Sequence, residues 1–267
     1  MNHKFKVNDK HITSFFNENG YAIVKNYFSI KECNFFLKKI SKYANKEFAP
    51  IMNPDRIDFL VPQTSDNFLN LPSLTSKTNF FKLLFRDCQY FRSVITNNKI
   101  LKLLKNIKKK KVNALMSQMI FKKAKSGFSK QSWQPHQDNS YPKNKNGHYI
   151  TINIFMNYSN KKNGTLYIWE KSHKYGLFNY KKKISYREKD GRPGNVANSN
   201  INFKKKDLNF KKGDMLILHG NLVHGSYPNK SKRSRPLYSA SYISDGEKFV
   251  AGKNAQRQIL NKKVLNL

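Results

Sequence analysis

The sequence predicts a mainly β fold with flanking helices, in which two antiparallel sheets face one another and the helices pack outside them. Three observations carry this. Apolar runs of strand length recur between residues 112 and 243, and helix-period patterns fall mostly before them. The chain of 267 residues can bury about three quarters of its unfolded surface and needs no covalent staples. One domain over residues 1–267 is the natural count, with the β core at about 110–245 and a helical part at about 1–105. No internal repeat or low-complexity linker suggests a second domain.

Taken in order, Ser29 to Ile40 reads as a helix, because Ser29 can cap it and apolar residues recur at helical spacing. Strand-like runs follow at Val112 to Phe121, Tyr149 to Asn157, Thr165 to Trp169 and Leu237 to Ile243. Asp214 to His224 is an apolar run broken by Gly220-Asn221, which reads as strand, turn and strand. Residues 48–78 and 171–206 carry no such pattern. Irregular segments of that length in a compact domain usually form lids or binding loops.

His136-Gln137-Asp138 is followed 86 residues after the carboxylate by His224-Gly225-Ser226, and eleven residues further on by Arg235. In extended chain, residues i and i+2 point to the same side, so His136 and Asp138 can reach one metal while Gln137 points away. His224 can complete the set from a strand folded back beside them. Two imidazoles and one carboxylate hold Fe(II) on one face and leave the opposite positions open. Alone, a His-x-Asp triplet is a weak motif; the ordered set is much more specific.

These positions resemble the phytanoyl-CoA dioxygenase family of Fe(II)/2-oxoglutarate oxygenases, whose motif is His-x-Asp, a distal His, and an Arg about ten residues beyond. Gly164 to Gly176, which contains Ser172-His173, is similar to the family's Gly-x-Leu to Ser-His-Lys-x-Gly stretch. Phe16-x-x-x-Gly20-Tyr21 is similar to its opening helix and first strand. The chain departs from the pattern at Pro135, where tryptophan is usual, and at Glu170-Lys171, where Pro-Gly is usual. Neither departure removes a metal ligand.

The resemblance implies a double-stranded β-helix (jelly-roll, cupin-like) and an Fe(II)- and 2-oxoglutarate-dependent dioxygenase. It implies that His136, Asp138 and His224 are both the metal ligands and the catalytic centre. Arg235 and Ser226 would anchor the far carboxylate of 2-oxoglutarate, and O2 would take a remaining iron position. A planar guanidinium fork matches a carboxylate in two parallel hydrogen bonds. Gln118 is a further candidate contact to the cosubstrate, with a satisfied polar residue of the sheet as its alternative. Asp138 separates this reading from halogenases of the same superfamily, which replace that carboxylate by Gly or Ala. The expected reaction is hydroxylation, with desaturation, ring formation and epimerisation left open.

Rivals exist for several of these roles. His219 lies five residues before His224, on the opposite face of an unbroken strand, and reads as a strand-end or pocket-adjacent residue. Arg233 competes with Arg235, but Arg235 immediately precedes Pro236 and a strand that would carry it inward. His173 reads as a loop tie through a hydrogen bond, and His3, His11 and His148 as surface residues. Trp133, Tyr141, Tyr167, Trp169 and Tyr242 are possible substrate contacts, although aromatics in a β-fold are more often core.

A formal net charge of +35 and a pI near 10.1 ordinarily point to nucleic acid or an anionic surface. Here the lysines are spread along the chain, and no arginine-rich helix or nucleic-acid module accompanies them. The excess therefore reads as compositional, since asparagine, isoleucine and lysine are plentiful together as in an AT-rich coding sequence, or as an attraction to a small, anionic substrate, with no specific nucleic acid as partner. Lys122, Lys123 and Lys125 could serve such a substrate as point charges for a phosphate, phosphonate or CoA moiety. The alternatives are a non-catalytic basic binding protein on the same fold, or an oxygenase acting on a nucleic acid or other macromolecule. Two cysteines, Cys33 and Cys88, make a disulfide framework unexpected. The N-terminus lacks a signal-peptide pattern and nothing approaches a membrane span, so the cytoplasm is the expected location.

Overall fold

The computed structural model describes residues 3–44, 56–60, 90, 93–120, 122, 124, 132–183 and 194–250; the side chains of 40–44, 56–60, 116, 118 and 183 lie outside that description. Helix α1 (Ile12–Asn19) buries Ile12 and Phe16 and ends at Gly20, whose φ of +76° lets its N–H reach the Phe16 carbonyl at 2.7 Å. A side chain at Gly20 would strike the His173 ring, with Nδ1 2.5 Å from the added carbon. The turn delivers the chain into β1 (Tyr21–Val24), which explains the Phe16-x-x-x-Gly20-Tyr21 pattern.

Helix α2 (Ile30–Ala44) starts as its sequence predicts. Ser29 Oγ accepts from the Glu32 N–H at 3.2 Å and Glu32 Oε2 accepts from the Ser29 N–H at 2.6 Å, a reciprocal cap that satisfies two orphan donors. Helix α3 (Asn98–Lys108) is capped by Asn97, which accepts from the Lys99 N–H at 2.8 Å, and buries Ile100, Leu103, Leu104 and Ile107.

The remaining strands are β2 (Arg56–Leu60), β3 (Val112–Ile120), β4 (Trp133–His136), β5 (Tyr149–Phe155), β6 (Leu166–Trp169), β7 (Tyr180–Lys183), β8 (Gly194–Ala197), β9 (Lys205–Asp207), β10 (Met215–His219), β11 (His224–Ser226) and β12 (Leu237–Ser244). They form a larger sheet in the order β1-β10-β5-β12-β3-β2, a smaller one in the order β4-β11-β6-β9, and the pair β7-β8. Every recorded pairing in these sheets is antiparallel. This is the jelly roll the resemblance implies.

Strand alternation decides what each face buries. Leu216 and Leu218 of β10 point between the sheets, where they pack with Tyr21, Phe155, Leu166 and Ile168. Met215 and Ile217 of the same strand point the other way, under the helices, with Phe16, Leu104 and Ile152. Both faces are dry, so the strand reads as a continuous apolar run. Each fully buried Leu or Ile contributes about 1.5–3 kcal/mol.

Residues 171–206 contain β7, β8 and the first residues of β9, which corrects the expectation of an irregular segment. Tyr-Lys-Lys-Lys and Gly-Asn-Val-Ala have no apolar alternation, because the strands draw their pairing from each other and from the site loop. Most of 48–78 lies outside the described residues, but β2 within it is a strand paired with β3. Cys33 is a buried free thiol, and Cys88 lies outside the described residues. No helix among the described residues is long and apolar enough to cross a membrane.

His219 sits at the end of β10 on the helix side of the large sheet, with ring centroids 6.1 Å from Phe16 and 5.3 Å from His173. Its Nδ1 accepts from the Asn221 N–H at 3.1 Å. Burial, with Lys108, His173 and His148 around it, pushes its pKa down to about 3. An unfolded histidine titrates near 6.5. Between those values the unfolded chain binds the extra proton, so stability is present above pH 6.5 and falls as pH drops, by up to about 1.4 kcal/mol per unit for one such group. Urea midpoints at pH 7.5, 6 and 5 should decline accordingly, and His219→Phe should flatten the decline; equal slopes in both proteins would remove His219 as its cause.

Candidate metal centre

Strands β4 and β11 pair antiparallel with His136 directly opposite His224, and their ring centroids are 4.4 Å apart. Pro135 is tolerated beside His136 because β4 is an edge strand and needs no ladder donor on its open side. Asp138 opens a short 3-10 turn, Asp138–Ser140, after an extended Gln137. Its Oδ1 stands 3.6 Å from Nε2 of both His136 and His224. The ligand atoms of the three residues all lie within 4.8 Å of one another, so they could hold a metal ion.

The histidine tautomers follow from their other nitrogens. His136 Nδ1 lies 2.7 Å from the Gln134 carbonyl and His224 Nδ1 lies 3.1 Å from the Leu222 carbonyl. A carbonyl can only accept, so each Nδ1 carries the proton and each Nε2 lone pair is turned toward Asp138. Backbone carbonyls in this role fix the ring orientation and raise ligand basicity. Burial alone would raise the Asp138 carboxyl, but His224, His136 and Thr151 together hold it well below the carboxylate range. Burial depresses His136, yet its contacts with Asp138 and Gln134 leave it raised overall; burial leaves His224 lowered. The donor set, one anion and two imidazoles with free Nε2 atoms, fits a divalent metal.

Among the residues that hold this geometry, His173 is the loop tie the sequence predicts, whereas Gln137 and Asn139 were not singled out by the sequence. Gln137, buried between the two ligands, donates from Nε2 to the Gly176 and Asn221 carbonyls at 2.7 and 2.6 Å and accepts from the Phe178 N–H at 2.7 Å. Asn139 donates to the Asn144 carbonyl and Asn221 Oδ1 at 2.8 and 2.7 Å, while its N–H reaches the Gly220 carbonyl at 2.9 Å. The His-x-Asp loop is thereby tied to the turn that precedes His224. Ser172 Oγ accepts from the Val223 N–H at 2.9 Å, and His173 is bonded to the Asn17 carbonyl at 3.0 Å. For Gln137 and Asn139, only the clustering of Gln, Asn and Ser around the motif hinted at this frame. Gln137→Ala is expected to weaken Fe(II) binding by about 10–100-fold, as for partners behind metal ligands generally. Anaerobic metal titration checks it, and wild-type affinity would remove Gln137 from the frame.

Arg235 is 1% exposed, and its Nε and Nη1 have no hydrogen-bond partner among the described residues. Burial pushes its guanidinium down to about 10. A buried cation is costly unless an anion meets it. Arg233 is exposed, which separates the two arginines. Ser226 is 2% exposed and accepts from Lys122 Nζ at 2.8 Å. Gln118 lies on β3 opposite Ser239, and its side chain is outside the described residues. On the inner face of the large sheet, Thr151 and Asn153 of β5 lie beside Ser241 and Ser239 of β12, all buried. This polar belt adjoins Asp138, whereas the same face is apolar at β1 and β10.

Several expected contacts go elsewhere. Tyr242 points into the helix-side core and donates to the Ile95 carbonyl at 2.9 Å. Tyr167 shares the outer face of the small sheet with Tyr227, ring centroids 5.0 Å apart, and Lys205 lies 3.8 Å over its ring. Trp169 stacks on Phe203 at 5.7 Å. The inward face of β6 is taken by Leu166 and Ile168, so Tyr167 and Trp169 must point outward. Tyr141 accepts from the Asn195 N–H at 3.1 Å and ties β8 to the ligand loop. Trp133, 6.2 Å from His136, is the aromatic of this set that adjoins a ligand ring. His148 is tied to Ser244 at 3.1 Å. Lys123 and Lys125 lie outside the described residues.

A jelly roll whose facing strand ends bring imidazole and carboxylate to one point is the architecture of the double-stranded β-helix oxygenases. The chain belongs to one family of that class: the phytanoyl-CoA dioxygenase (PhyH) model matches residues 16–237. It is thus a member of a family of dioxygenases. No curated protein matches it in sequence. Among solved structures it is similar to the epimerase SnoN in complex with Fe3+, α-ketoglutarate and nogalamycin RO, with TM-score 0.63, 14% identity, and 94% and 95% of the two chains covered. It is also similar to EctD from S. alaskensis with 2-oxoglutarate and 5-hydroxyectoine, with TM-score 0.62, 13% identity, and 92% and 79% covered. EvdO2 from Micromonospora carbonacea var. aurantiaca complexed with 2-oxoglutarate gives TM-score 0.58, 15% identity, and 92% and 95% covered. At such identities the likeness establishes the shared fold.

Proposed function

We propose that the protein is an Fe(II)- and 2-oxoglutarate-dependent dioxygenase that hydroxylates a small, anionic molecule. In that reaction one oxygen atom of O2 enters a substrate C–H bond and the other enters succinate as 2-oxoglutarate loses CO2. The observation that carries the reading is the pair of histidines whose Nδ1 protons are committed to carbonyls while both Nε2 atoms converge on Asp138. When bound, iron and O2 supply the oxidising chemistry, and the chain supplies binding, orientation and exclusion of water.

His136, Asp138 and His224 would hold the metal. Arg235 and Ser226, both buried, would hold the far carboxylate of the cosubstrate, with Gln118 as a further contact. The solved relatives that carry 2-oxoglutarate in their own sites support this choice of cosubstrate. The formal charge of +35 supports an anionic substrate, since such a field raises the local concentration of anions. Two cysteines, of which Cys33 is a buried free thiol, accord with a cytoplasmic location.

The test is anaerobic titration of the purified protein with Fe(II) and then 2-oxoglutarate, following the weak visible metal-to-ligand band. Its appearance supports the oxygenase reading. Its absence in folded protein sinks that reading and favours a basic binding protein on the same fold.

A further inference from the structure

We infer that Glu247 is a positioning residue of the metal centre: through Asn144 and Asn139 it holds the turn that carries Asp138, so the chain beyond β12 fixes the ligand set before a metal arrives. The inference rests on the metal-site reading above and adds to it a residue distant in sequence from all three ligands.

Residues 141–148 run from the ligand turn to β5, and none of them belongs to a hydrophobic cluster. Their shape therefore depends on polar contacts. Lys143 has a φ of +52°, an uncommon conformation for a non-glycine residue that persists only where surroundings over-determine it. Asn139 supplies the inner bonds. Its carbonyl accepts from the Lys143 N–H at 2.9 Å, its Oδ1 accepts from the Asn144 N–H at 2.9 Å, and its Nδ2 donates to the Asn144 carbonyl at 2.8 Å. Asn139 is buried and directly follows Asp138. A shift of Asn144 is thus passed to the backbone that aims the Asp138 carboxylate.

Asn144 is held from its other side by the segment after β12. Its Nδ2 donates to Glu247 Oε2 at 3.1 Å and to the Lys248 carbonyl at 3.0 Å, while its Oδ1 accepts from the His148 N–H at 2.7 Å. Glu247 gathers further donors. Asn146 Nδ2 lies 2.9 Å from the same carboxylate oxygen, and Lys110 Nζ and His148 Nε2 lie 3.3 and 3.7 Å from the other. Burial would raise this carboxyl, but Asn144, Asn146, Lys110 and His148 hold it at about 2. An ionised carboxylate offers about four lone-pair sites, which lets one side chain join the loop to the turn between α3 and β3.

The segment that carries Glu247 is itself pinned on both sides. Gly246, with φ of +77°, turns the chain back after β12. The Asp245 N–H donates to the Lys111 carbonyl at 2.8 Å, and Asp245 Oδ1 accepts from Asn113 Nδ2 at 2.8 Å. Beyond Glu247, the Val250 N–H reaches the Pro142 carbonyl at 2.6 Å, and Phe249 packs against Leu115, Tyr149 and Ile243. The carboxylate is presented on a fixed mount, the condition for supporting residues that hold a site in its productive geometry.

The experiment measures Fe(II) affinity by anaerobic isothermal titration and, in the metal-free protein, hydrogen exchange at the Asn139 amide. That N–H bonds to the Gly220 carbonyl at 2.9 Å and not to the segment after β12. Glu247→Ala is expected to raise the Fe(II) dissociation constant by about 3–30-fold, the range for residues that modulate a site without touching its ligand. Exchange at Asn139 should speed up with it. Asn144→Ala should do the same, and the double variant should lose no more than the larger single loss, because both substitutions cut one path. Asn113→Ala is the control: it removes the anchor at Asp245 and should leave Fe(II) affinity and Asn139 exchange as in wild type. Glu247→Gln keeps the shape and sets an amide N–H against the surrounding donors, so it serves where alanine prevents folding. Wild-type Fe(II) affinity in the Glu247 variant overturns the positioning role alone. An equal loss in Asn113→Ala, or additive losses in the double variant, also overturns it, because either marks a general structural effect. A wild-type protein that binds no Fe(II) overturns the metal reading itself, and this role with it.

Discussion

Arg235→Met is expected to raise the thermal midpoint of the ligand-free protein while abolishing its stabilisation by 2-oxoglutarate. The guanidinium is 1% exposed with two nitrogens unpartnered among the described residues, and burial lowers its pKa to about 10. Such a charge opposes folding until an anion meets it. Replacing buried ionic groups by apolar side chains of similar volume is often neutral or stabilising, by about 1–4 kcal/mol. For a chain of this size each kcal/mol shifts the midpoint by roughly 2–4 °C. Ligand binding reverses the order of the two proteins. A ligand at a hundred times its dissociation constant stabilises by about 2.7 kcal/mol. Losing a buried charge partner costs about 2–5 kcal/mol of affinity, enough to remove that gain. Melting curves of both proteins with Fe(II), with and without 2-oxoglutarate, check the crossing. A variant that melts lower than wild type and keeps the 2-oxoglutarate shift would show that Arg235 is a structural residue.

Asp138→Asn should abolish turnover and weaken Fe(II) binding by more than about 100-fold, exceeding the effect of any residue behind the ligands. The side-chain shape is kept, so the loss reports charge. In the metal-free protein Asp138 Oδ1 stands 3.6 Å from both imidazoles, which help to hold the carboxyl well below its usual range. The ionised carboxylate that metal binding requires is therefore already present at neutral pH. Isothermal titration under anaerobic conditions gives the affinity directly. Wild-type iron affinity in the variant would show that the metal is held elsewhere.

Much of the fold was legible in the sequence because its signals are local. Strand runs at residues 149, 165, 215 and 237 start within one residue of the observed elements, since both faces of these strands are dry and the apolar pattern is continuous. Ser29 capped its helix through bonds no longer than one turn. The candidate ligand set, whose ligand atoms lie within 4.8 Å of one another, could be read from the sequence because i and i+2 share a face in any extended chain. The strands β7 and β8 were not legible, because their side chains carry no burial pattern and their pairing is with each other.

Other assignments needed the tertiary structure. Gly220-Asn221 reads locally as a simple turn, but it carries the chain from the large sheet to the small one. His219 therefore ends against α1 and His173, and His224 ends opposite His136. Tyr167 and Tyr242 were open in the sequence between substrate contact and core; Tyr242 joins the helix-side core and Tyr167 the outer face of the small sheet, because the inward positions of their strands are filled by other residues. Gln137 and Asn139 gained their role from Asn221, more than 80 residues away. Lys122 carries no sequence signal of burial, and its contacts with Ser226 and Tyr227 turn it inward.

By itself the sequence determined the residue types of the site, the strand that carries His224 and the family to which they belong, since periodicity, capping and ligand chemistry act over a few residues. The tertiary structure alone decided that Lys122 is buried, that His219 packs against His173, and that Gln137 and Asn139 bind the turn before His224. Those outcomes depend on sheet pairing and on the burial of charge, and both are set by chain segments far apart in sequence.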